Sequence, residues 1–381
     1  MKCASALSTR RDTDAALRDV LDRVAEGLEG EPADLAVAFT SAHHADALGR
    51  LAREVRARGL ARHALGCTGE SIIGEGREVE DDVAISLWAI QLPQADLRPI
   101  RLEFDGTAIL GWPDDLGPAP EDSPRTLILL GEPFSFPADV WLRQPEATGL
   151  RIVGGMASAA RAPRQNRLVL DDRVHNDGAV GLLIDGPVTI RTIVSQGCRP
   201  IGRPMIITRA DRNIIKELGR RPALAVLQEM FEALDPEEQE LVREGLHVGR
   251  VINEYQEAFG RGDFLVRNVL GVDDEGGLAI TDPVRVGQTV QFHVRDAATA
   301  DEDLRTLLAE PLGALPAGAL LFSCNGRGTR LFPSLHHDVG ALHAAFGPIP
   351  VAGLFAMGEL GPVGGRNFLH GFTASIVMFC H

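Results

Sequence analysis

The sequence has few cysteines, few aromatic residues and no long apolar run. Its five cysteines are an odd number without a Cys-x-x-Cys pair, which argues against a disulfide framework and a zinc site. We therefore expect reduced thiols and a cytoplasmic protein. Apolar runs such as 126–130 and 376–379 are far shorter than the ~20 residues of a membrane-spanning helix. The first residues contain no apolar stretch that predicts a signal peptide.

Positive charge is also scarce. Lysine and arginine number 38 against 53 acidic residues, so the formal net charge is −15. A chain of this charge is repelled by phosphate backbones and by anionic lipid surfaces. We therefore expect neither nucleic acid nor a membrane as a partner.

The common catalytic and cofactor motifs are missing. No Gly-Lys-Ser/Thr follows the glycine-rich segment 323–328, and Leu331 stands where a dinucleotide fingerprint needs a third glycine. Neither Gly-x-Ser-x-Gly nor His-Glu-x-x-His occurs. The neighbouring histidines at 43–44 and 336–337 would point about 100° apart on a helix and are poorly placed for one metal. The sequence predicts no cofactor, no metal and no catalytic residue, and it leaves enzymatic activity open.

A pattern of strand, helix, strand, glycine loop and strand occurs three times. The copies run from 35 to 90, from 126 to 184 and from 319 to 379. They predict an α/β protein of repeated units, with mixed, largely antiparallel sheets flanked by helices. A turn at 273–277 indicates a hairpin between the copies. We expect two adjoining domains, 30–219 and 220–381.

The strongest candidate for a ligand site follows the strand at 319–322. There the chain opens into Asn325, Gly326, Arg327 and Gly328, whose backbone N–H groups could face a ligand. The planar guanidinium of Arg327 suits a carboxylate. The alternative is a tight turn in which the glycines only supply positive φ.

Two cysteines are candidates for a reactive thiol. Cys198 precedes Arg199, and Cys324 lies three residues before Arg327, so a positive field could act on either thiol. No local signature of a cysteine protease surrounds them. The alternative is a small buried cysteine without chemistry.

A second glycine-rich segment lies at 358–368. We expect it to converge with 325–328 on one pocket, because α/β proteins place ligands at the ends of neighbouring strands. Arg327 and Arg366 could then hold a carboxylate while Glu359 receives an amine, as an amino-acid ligand requires. Alternatively, Arg366 and Glu359 pair and brace the loop. The complete predicted ligand-binding set is Cys198, Arg199, Cys324, Asn325, Gly326, Arg327, Gly328, Glu359, Gly361, Arg366, Asn367, Phe368 and His370.

Several segments together resemble the FIST family (F-box and intracellular signal transduction proteins). They are AFTSAHHADAL, GCTGESIIGEGREVE, SQGCRPIG, FLVRNVLGVD, GQTVQFHVRD, FSCNGRG and GELGPVGGRNFLHGFTA, and they extend over about 33–379. The resemblance implies an N-terminal and a C-terminal FIST domain and a role in sensing small ligands, amino acids among them. FIST-like sequence nearly fills the chain, so a sensor of this kind would act through a separate signalling partner.

Three functions remain open on the sequence. A ligand-binding sensor predicts a pocket with glycine loops and a few polar anchors. A thiol-dependent enzyme predicts Cys198 or Cys324 within reach of a base such as His370. A protein-interaction scaffold predicts an exposed apolar patch instead. The absence of a complete catalytic set favours the sensor.

Overall fold

The computed structural model describes residues 1–116, 125–144, 147, 149–256, 258–260, 262–311 and 313–381. Contacts group the chain into two compact units. The first comprises 1–195, 304–369 and 373–381, and the second comprises 196–303 and 370–372. The division of the sequence into domains at 219–220 stays a prediction.

Amphipathic helices cover sheet faces in the first unit. The first begins after Asp12, whose carboxylate accepts the Ala15 N–H at 2.7 Å and so acts as the N-cap. Its buried residues include Leu17, Val20 and Leu21, which recur at helical spacing. The α-helices are α1 (Thr13–Gly27), α2 (Leu48–Ala57), α3 (Ala138–Trp141), α4 (Ala223–Ala233), α5 (Pro236–Glu244), α6 (Ala297–Ala309) and α7 (His337–Phe346).

The described strands fall into four sheets, two of six strands and two of seven. The strands of the first half are β1 (Cys3–Ser8), β2 (Ala33–Ser41), β3 (Ala61–Gly69), β4 (Ile72–Gly74), β5 (Arg77–Val79), β6 (Ile85–Ile90), β7 (Asp96–Phe104), β8 (Ile109–Leu110), β9 (Thr126–Gly131), β10 (Arg151–Met156), β11 (Leu168–Leu170), β12 (Arg173–His175) and β13 (Ala179–Asp185). The strands of the second half are β14 (Thr189–Gln196), β15 (Cys198–Asp211), β16 (Ile214–Leu218), β17 (Arg221–Pro222), β18 (Leu246–Val251), β19 (Phe264–Val272), β20 (Leu278–Ile280), β21 (Thr289–Arg295), β22 (Pro316–Cys324), β23 (Val351–Ala356), β24 (Glu359–Val363), β25 (Arg366–His370) and β26 (Thr373–Cys380).

The first unit contains the three predicted repeats, and each forms the centre of its own sheet. In every repeat the first strand pairs with the second in parallel and with the closing strand antiparallel. The three central triplets are β6-β2-β3, β13-β9-β10 and β26-β22-β23. The other described registers in the first unit are antiparallel, so the prediction of repeated units with mixed, largely antiparallel sheets is confirmed.

The three repeats exchange hairpins in a cycle. The hairpin β4–β5 of the first repeat extends the sheet of the third, beside β23. The hairpin β11–β12 of the second repeat joins the first sheet beside β3, and β24–β25 of the third joins the second sheet beside β10. Each sheet is therefore completed by chain from another repeat, which the sequence pattern does not reveal.

A glycine recurs at the same register in the second strand of every repeat. A Cβ on Gly66, Gly154 or Gly353 would lie 1.8–2.3 Å from a carbonyl oxygen of the neighbouring first strand. The paired residues are Ala38, Leu129 and Leu321, respectively. Gly66 and Gly154 thus lie inside strands, where close backbone approach requires them, and not in loops.

The inner faces of the three sheets share one apolar core. It contains side chains of all three repeats, among them Val37, Val153 and Leu354. Phe39 of the first repeat meets Phe322 of the third edge to face, with ring centroids 6.0 Å apart. Separate clusters fill the outer faces, where α1 and α2 cover the first sheet and α6 and α7 the third.

The second unit is inserted in the chain between β14 and β22. Its sheet has the order β15-β21-β18-β19-β20-β16-β17, and the described registers are antiparallel. The predicted turn at Asp273–Gly277 joins β19 to β20, with Asp273 N–H donating to Gly277 O at 2.9 Å. Ile215, Leu278 and Phe292 are among the side chains of its own core.

Candidate functional site

The candidate site lies where β22 ends, in the third repeat. The strand stops at Cys324, and a turn follows in which Arg327 N–H donates to Cys324 O at 2.8 Å. Asn325 N–H donates to Ala356 O on the neighbouring strand at 3.1 Å. Gly328 has φ +59°, and a Cβ there would lie 2.6 Å from the Glu80 carboxylate. The turn therefore requires glycine at position 328. This agrees with the alternative in which the glycines only supply positive φ.

Arg327 is fully buried and is held by Asp338 of α7. Its Nε and Nη2 donate to the two carboxylate oxygens at 2.8 and 2.7 Å, a bidentate pair. Ser323 Oγ donates to the same carboxylate at 2.7 Å. Burial alone would raise the pKa of Asp338, but the Arg327 charge and these hydrogen bonds hold it well below its usual range. Nη1 has no hydrogen-bond partner among the described residues.

An aromatic layer covers the ion pair. The Arg327 guanidinium lies 5.1 Å from the centroid of the Phe332 ring, a cation–π distance. The Phe332 ring stacks on His337, with centroids 3.4 Å apart. His337 Nδ1 is 2.9 Å from Asp338 Oδ1, so this histidine orients the pair.

A second buried acid, Glu78 of β5, lies beside Asp338. Its Oε1 accepts the Val339 N–H at 2.9 Å, at the start of α7. Burial and the negative charge of Asp338 raise the pKa of Glu78 to about 8. Its other oxygen, Oε2, has no hydrogen-bond partner among the described residues.

Glu359 of β24 is a third buried acid, with no exposed surface. Thr373 donates to its Oε2 from the hydroxyl at 2.8 Å and from the backbone at 3.2 Å. Burial raises the pKa of Glu359 to about 8, although Thr373, the Arg327 charge and the Cys324 thiol each act to lower it. Oε1 receives no N–H or O–H hydrogen bond from the described residues. Glu359 is therefore a mostly protonated acid at neutral pH, in contact with a thiol.

Three buried polar atoms without partners among the described residues belong to this site. Buried polar groups in folded proteins are almost always hydrogen-bonded, so each exception needs an explanation. Here Asn325 Oδ1, Arg327 Nη1 and Glu359 Oε1 all lack a partner among the described residues. Electrostatic interaction links Arg327 to both Glu359 and Cys324. One unfilled donor and two unfilled acceptors at one strand end suit a ligand with groups of both kinds.

The structure does not bring the whole segment 361–368 to this strand end. Arg366 is exposed, with its guanidinium 5.5 Å from the Phe368 ring centroid. Within the described residues no contact joins Arg366 to Glu359 or Arg327. Asn367 fixes backbone, because its side chain bonds to Ile152 N–H and to the carbonyls of Ala147 and Leu150. Gly361 leaves room for Val194, which would lie 2.3 Å from a Cβ.

Three predicted residues belong to the second unit. Cys198 is buried there, and Arg199 forms ion pairs with Asp296 at 2.7 Å and Glu238 at 2.9 Å. His370 is buried in the same unit. Cys324 and Glu359 both belong to the first unit and are in contact.

Sequence reasoning missed most partners of the predicted residues. Asp338 directly follows the histidine pair at 336–337, and Thr373 lies five residues after the segment 358–368. Glu78 lies on a short hairpin supplied by the first repeat. A carboxylate placed to neutralise Arg327 could have been sought on the helix after β22. Across the parts of the chain that the structure describes, no three His, Cys, Asp or Glu side chains form a group that could hold a metal ion.

Two protein-family models match the chain. The FIST N domain matches residues 34–221, and the FIST C domain matches residues 223–362. The chain therefore belongs to the FIST family. FIST domains are generally associated with small-ligand binding in signalling. Among the described helices, none combines the length and apolar character needed to cross a membrane.

Relatives of nearly the same length occur in mycobacteria. The chain is 39% identical over 389 residues to uncharacterized protein Rv0628c of Mycobacterium tuberculosis, with all of both chains covered. It is also 39% identical over 390 residues to uncharacterized protein Mb0898c of Mycobacterium bovis, covering all of this chain and 99% of the relative.

Proposed function

We propose that this chain is a cytoplasmic sensor that binds a free amino acid at the end of β22 and acts on a separate signalling partner. The observation that carries the proposal is that Asn325, Arg327 and Glu359 each have a buried polar atom without a partner among the described residues. The family's association with small-ligand binding supports the same function. The structure joins none of the five cysteines in a disulfide, which suits a reducing compartment.

The unfilled atoms match the two ends of an amino acid. Arg327 Nη1 can donate to a carboxylate oxygen while Asp338 keeps Nε and Nη2. Glu359 Oε1 and Asn325 Oδ1 can accept from an ammonium group. Because the pKa of Glu359 is about 8, binding an ammonium would release its proton near neutral pH. Cys324 is partly exposed and lies next to Glu359 and Arg327.

A thermal-shift screen of the twenty amino acids on the purified protein tests the proposal. A ligand at one hundred times its Kd should stabilise the native state by about 2.7 kcal/mol, which raises Tm. Glu359→Gln should weaken that ligand at least tenfold, since the ammonium loses its counter-charge. Asn325→Ala should weaken it less.

Arg366→Gln is the matched control. It removes an exposed cation outside the contacts of Arg327 and Glu359, so affinity should stay unchanged. Loss of affinity in this variant would instead revive the convergence of 325–328 with 366–368. No Tm rise with any amino acid, or full affinity in Glu359→Gln, would remove the proposal. Charge reversal at Arg327 is unsuitable, because it would bury two facing carboxylates and unfold the repeat.

A further inference from the structure

The three repeats can be compared position by position, so the first and second show which side chains the fold accepts at each position of the third. Gly66, Gly154 and Gly353 occupy equivalent positions in the second strands of the repeats. The residue that follows each glycine pairs with a residue of the hairpin that joins the same sheet. Those hairpin residues are Leu168, Glu359 and Ile72. Leu168 and Ile72 are fully buried in the central apolar core. The fold thus accepts an aliphatic side chain where the third repeat has Glu359.

The first strands show the same divergence. Three positions after the residue that faces the glycine stand Ser41, Glu132 and Cys324. Ser41 Oγ accepts the Ala84 N–H at 3.0 Å. Glu132 accepts from Ser135 Oγ at 2.8 Å and from Asn166 Nδ2 at 3.3 Å. Each of these side chains completes a local network, whereas the third repeat alone puts a thiol against a buried acid.

A hydrogen-bond donor and a positive charge lie beside the Cys324 sulfur. Gly326 N–H donates to Sγ at 3.5 Å, and the Arg327 guanidinium acts on the thiol electrostatically. The residue is partly exposed. In contrast, burial raises the pKa of Cys3, Cys67 and Cys380. Cys198 is buried in the second unit.

We propose that Cys324 is a site of oxidation by hydroperoxides, with Glu359 as the group that moves the proton. The sulfur attacks one peroxide oxygen, an S–O bond forms and the O–O bond breaks. Sulfur loses two electrons and the peroxide gains them, so thiol and hydroperoxide become sulfenic acid and an alcohol, or water from hydrogen peroxide. The protonated Glu359 carboxyl gives its proton to the leaving oxygen and recovers one from the thiol.

The role of Glu359 depends on its Oε1, which has no hydrogen-bond partner among the described residues. Thr373 fixes the other oxygen, so the carboxyl cannot turn away, and Oε1 is left without an N–H or O–H donor. A sulfenic oxygen on Cys324 would supply the missing partner. This reaction needs no amino-acid ligand, and it stands or falls independently of the proposed function.

Peptide mapping of the peroxide-treated protein tests the proposal. The reduced full chain is exposed to cumene hydroperoxide with dimedone, which traps sulfenic acids, and each cysteine peptide is quantified. Cys324 should carry at least ten times more adduct than any of the other four. Unfolding in guanidinium should abolish that difference. Equal or greater labelling of Cys3 or Cys198 in the folded protein would overturn the proposal.

A variant separates the role of Glu359 from mere exposure of the thiol. Glu359→Gln should lower the rate of Cys324 oxidation at least fivefold, because no acid protonates the leaving oxygen. Alkylation by iodoacetamide expels iodide, which needs no proton, so its rate should change less than twofold. Glu70→Gln, which removes an acid bound to Arg330, is the matched control and should leave both rates unchanged. Equal losses in both reactions, or none in oxidation, would remove Glu359 from the mechanism.

Discussion

The end of the third repeat differs from the equivalent ends of the first and second repeats. All three share strand order, hairpin exchange and the glycine that lets two strands approach. Two of them bury an aliphatic side chain, Ile72 or Leu168, where the third buries Glu359 with one oxygen unfilled. Because the same backbone is stable with Ile and Leu, folding alone does not account for the acid. This difference is the reason for placing the proposed function in the third repeat.

The largest effect is expected when the acid is moved to the second repeat. Leu168→Glu would place a carboxyl in the central core, near Glu132. In the second repeat Gly178 occupies the position that Thr373 has in the third. We expect a loss of about 3–5 kcal/mol at pH 7, as for an uncompensated buried charge. Chemical denaturation measures it. The reverse change, Glu359→Leu, should cost less than about 2 kcal/mol. Equal costs would mean that the two positions are not equivalent.

The glycines test the shared part of the comparison. Gly66→Ala, Gly154→Ala and Gly353→Ala each push a methyl group into a neighbouring carbonyl, so each should lose about 1–3 kcal/mol or more. Gly340→Ala in α7 is the control, because nothing lies within 4 Å of its added Cβ. That variant should be neutral or stabilised by up to about 1 kcal/mol. A tolerant glycine among the three would break the equivalence at that repeat.

The smallest expected effect is the pH dependence that Glu359 gives to the free energy of unfolding. The folded pKa of Glu359 is about 8 and its ordinary value is 4.5, so its contribution to stability is complete below pH 4.5 and is lost as pH rises to 8. Relative to wild type, Glu359→Gln should therefore gain about 1.4 kcal/mol per pH unit across that window. Denaturation at pH 5, 6.5 and 8 measures the difference. Glu78→Gln should show the same sign, and a pH-independent difference would mean that Glu359 is ionised when folded.

The repeats and most of their strands could be predicted from sequence, because a buried strand leaves a short apolar run that is visible locally. The capped helix after Asp12 was equally readable. Hairpin exchange could not be predicted, since β4 pairs with β23 from the far end of the chain, and no local signal encodes that choice.

The site could be predicted only in part. Asn325, Arg327 and Glu359 were identified as polar groups near glycine turns, and each carries an unfilled atom. Their partners depend on tertiary packing, as Asp338 and Thr373 show. Arg366 and Asn367 are also polar groups near glycine turns. Arg366 nevertheless lies exposed at the surface, and Asn367 hydrogen-bonds to the backbone. The residue type suggested chemistry in every case, and only packing decided which groups were left to perform it.

The cyclic exchange of hairpins has a consequence for synthesis on the ribosome. The hairpin β4–β5 is made early, yet its partner β23 is among the last strands to emerge. Until then the nascent chain carries a hairpin with an open edge, and such edges pair readily with other chains. Truncation before β23 should therefore leave an aggregation-prone product rather than a smaller folded one. We therefore expect the early hairpin to need protection while the chain is being made.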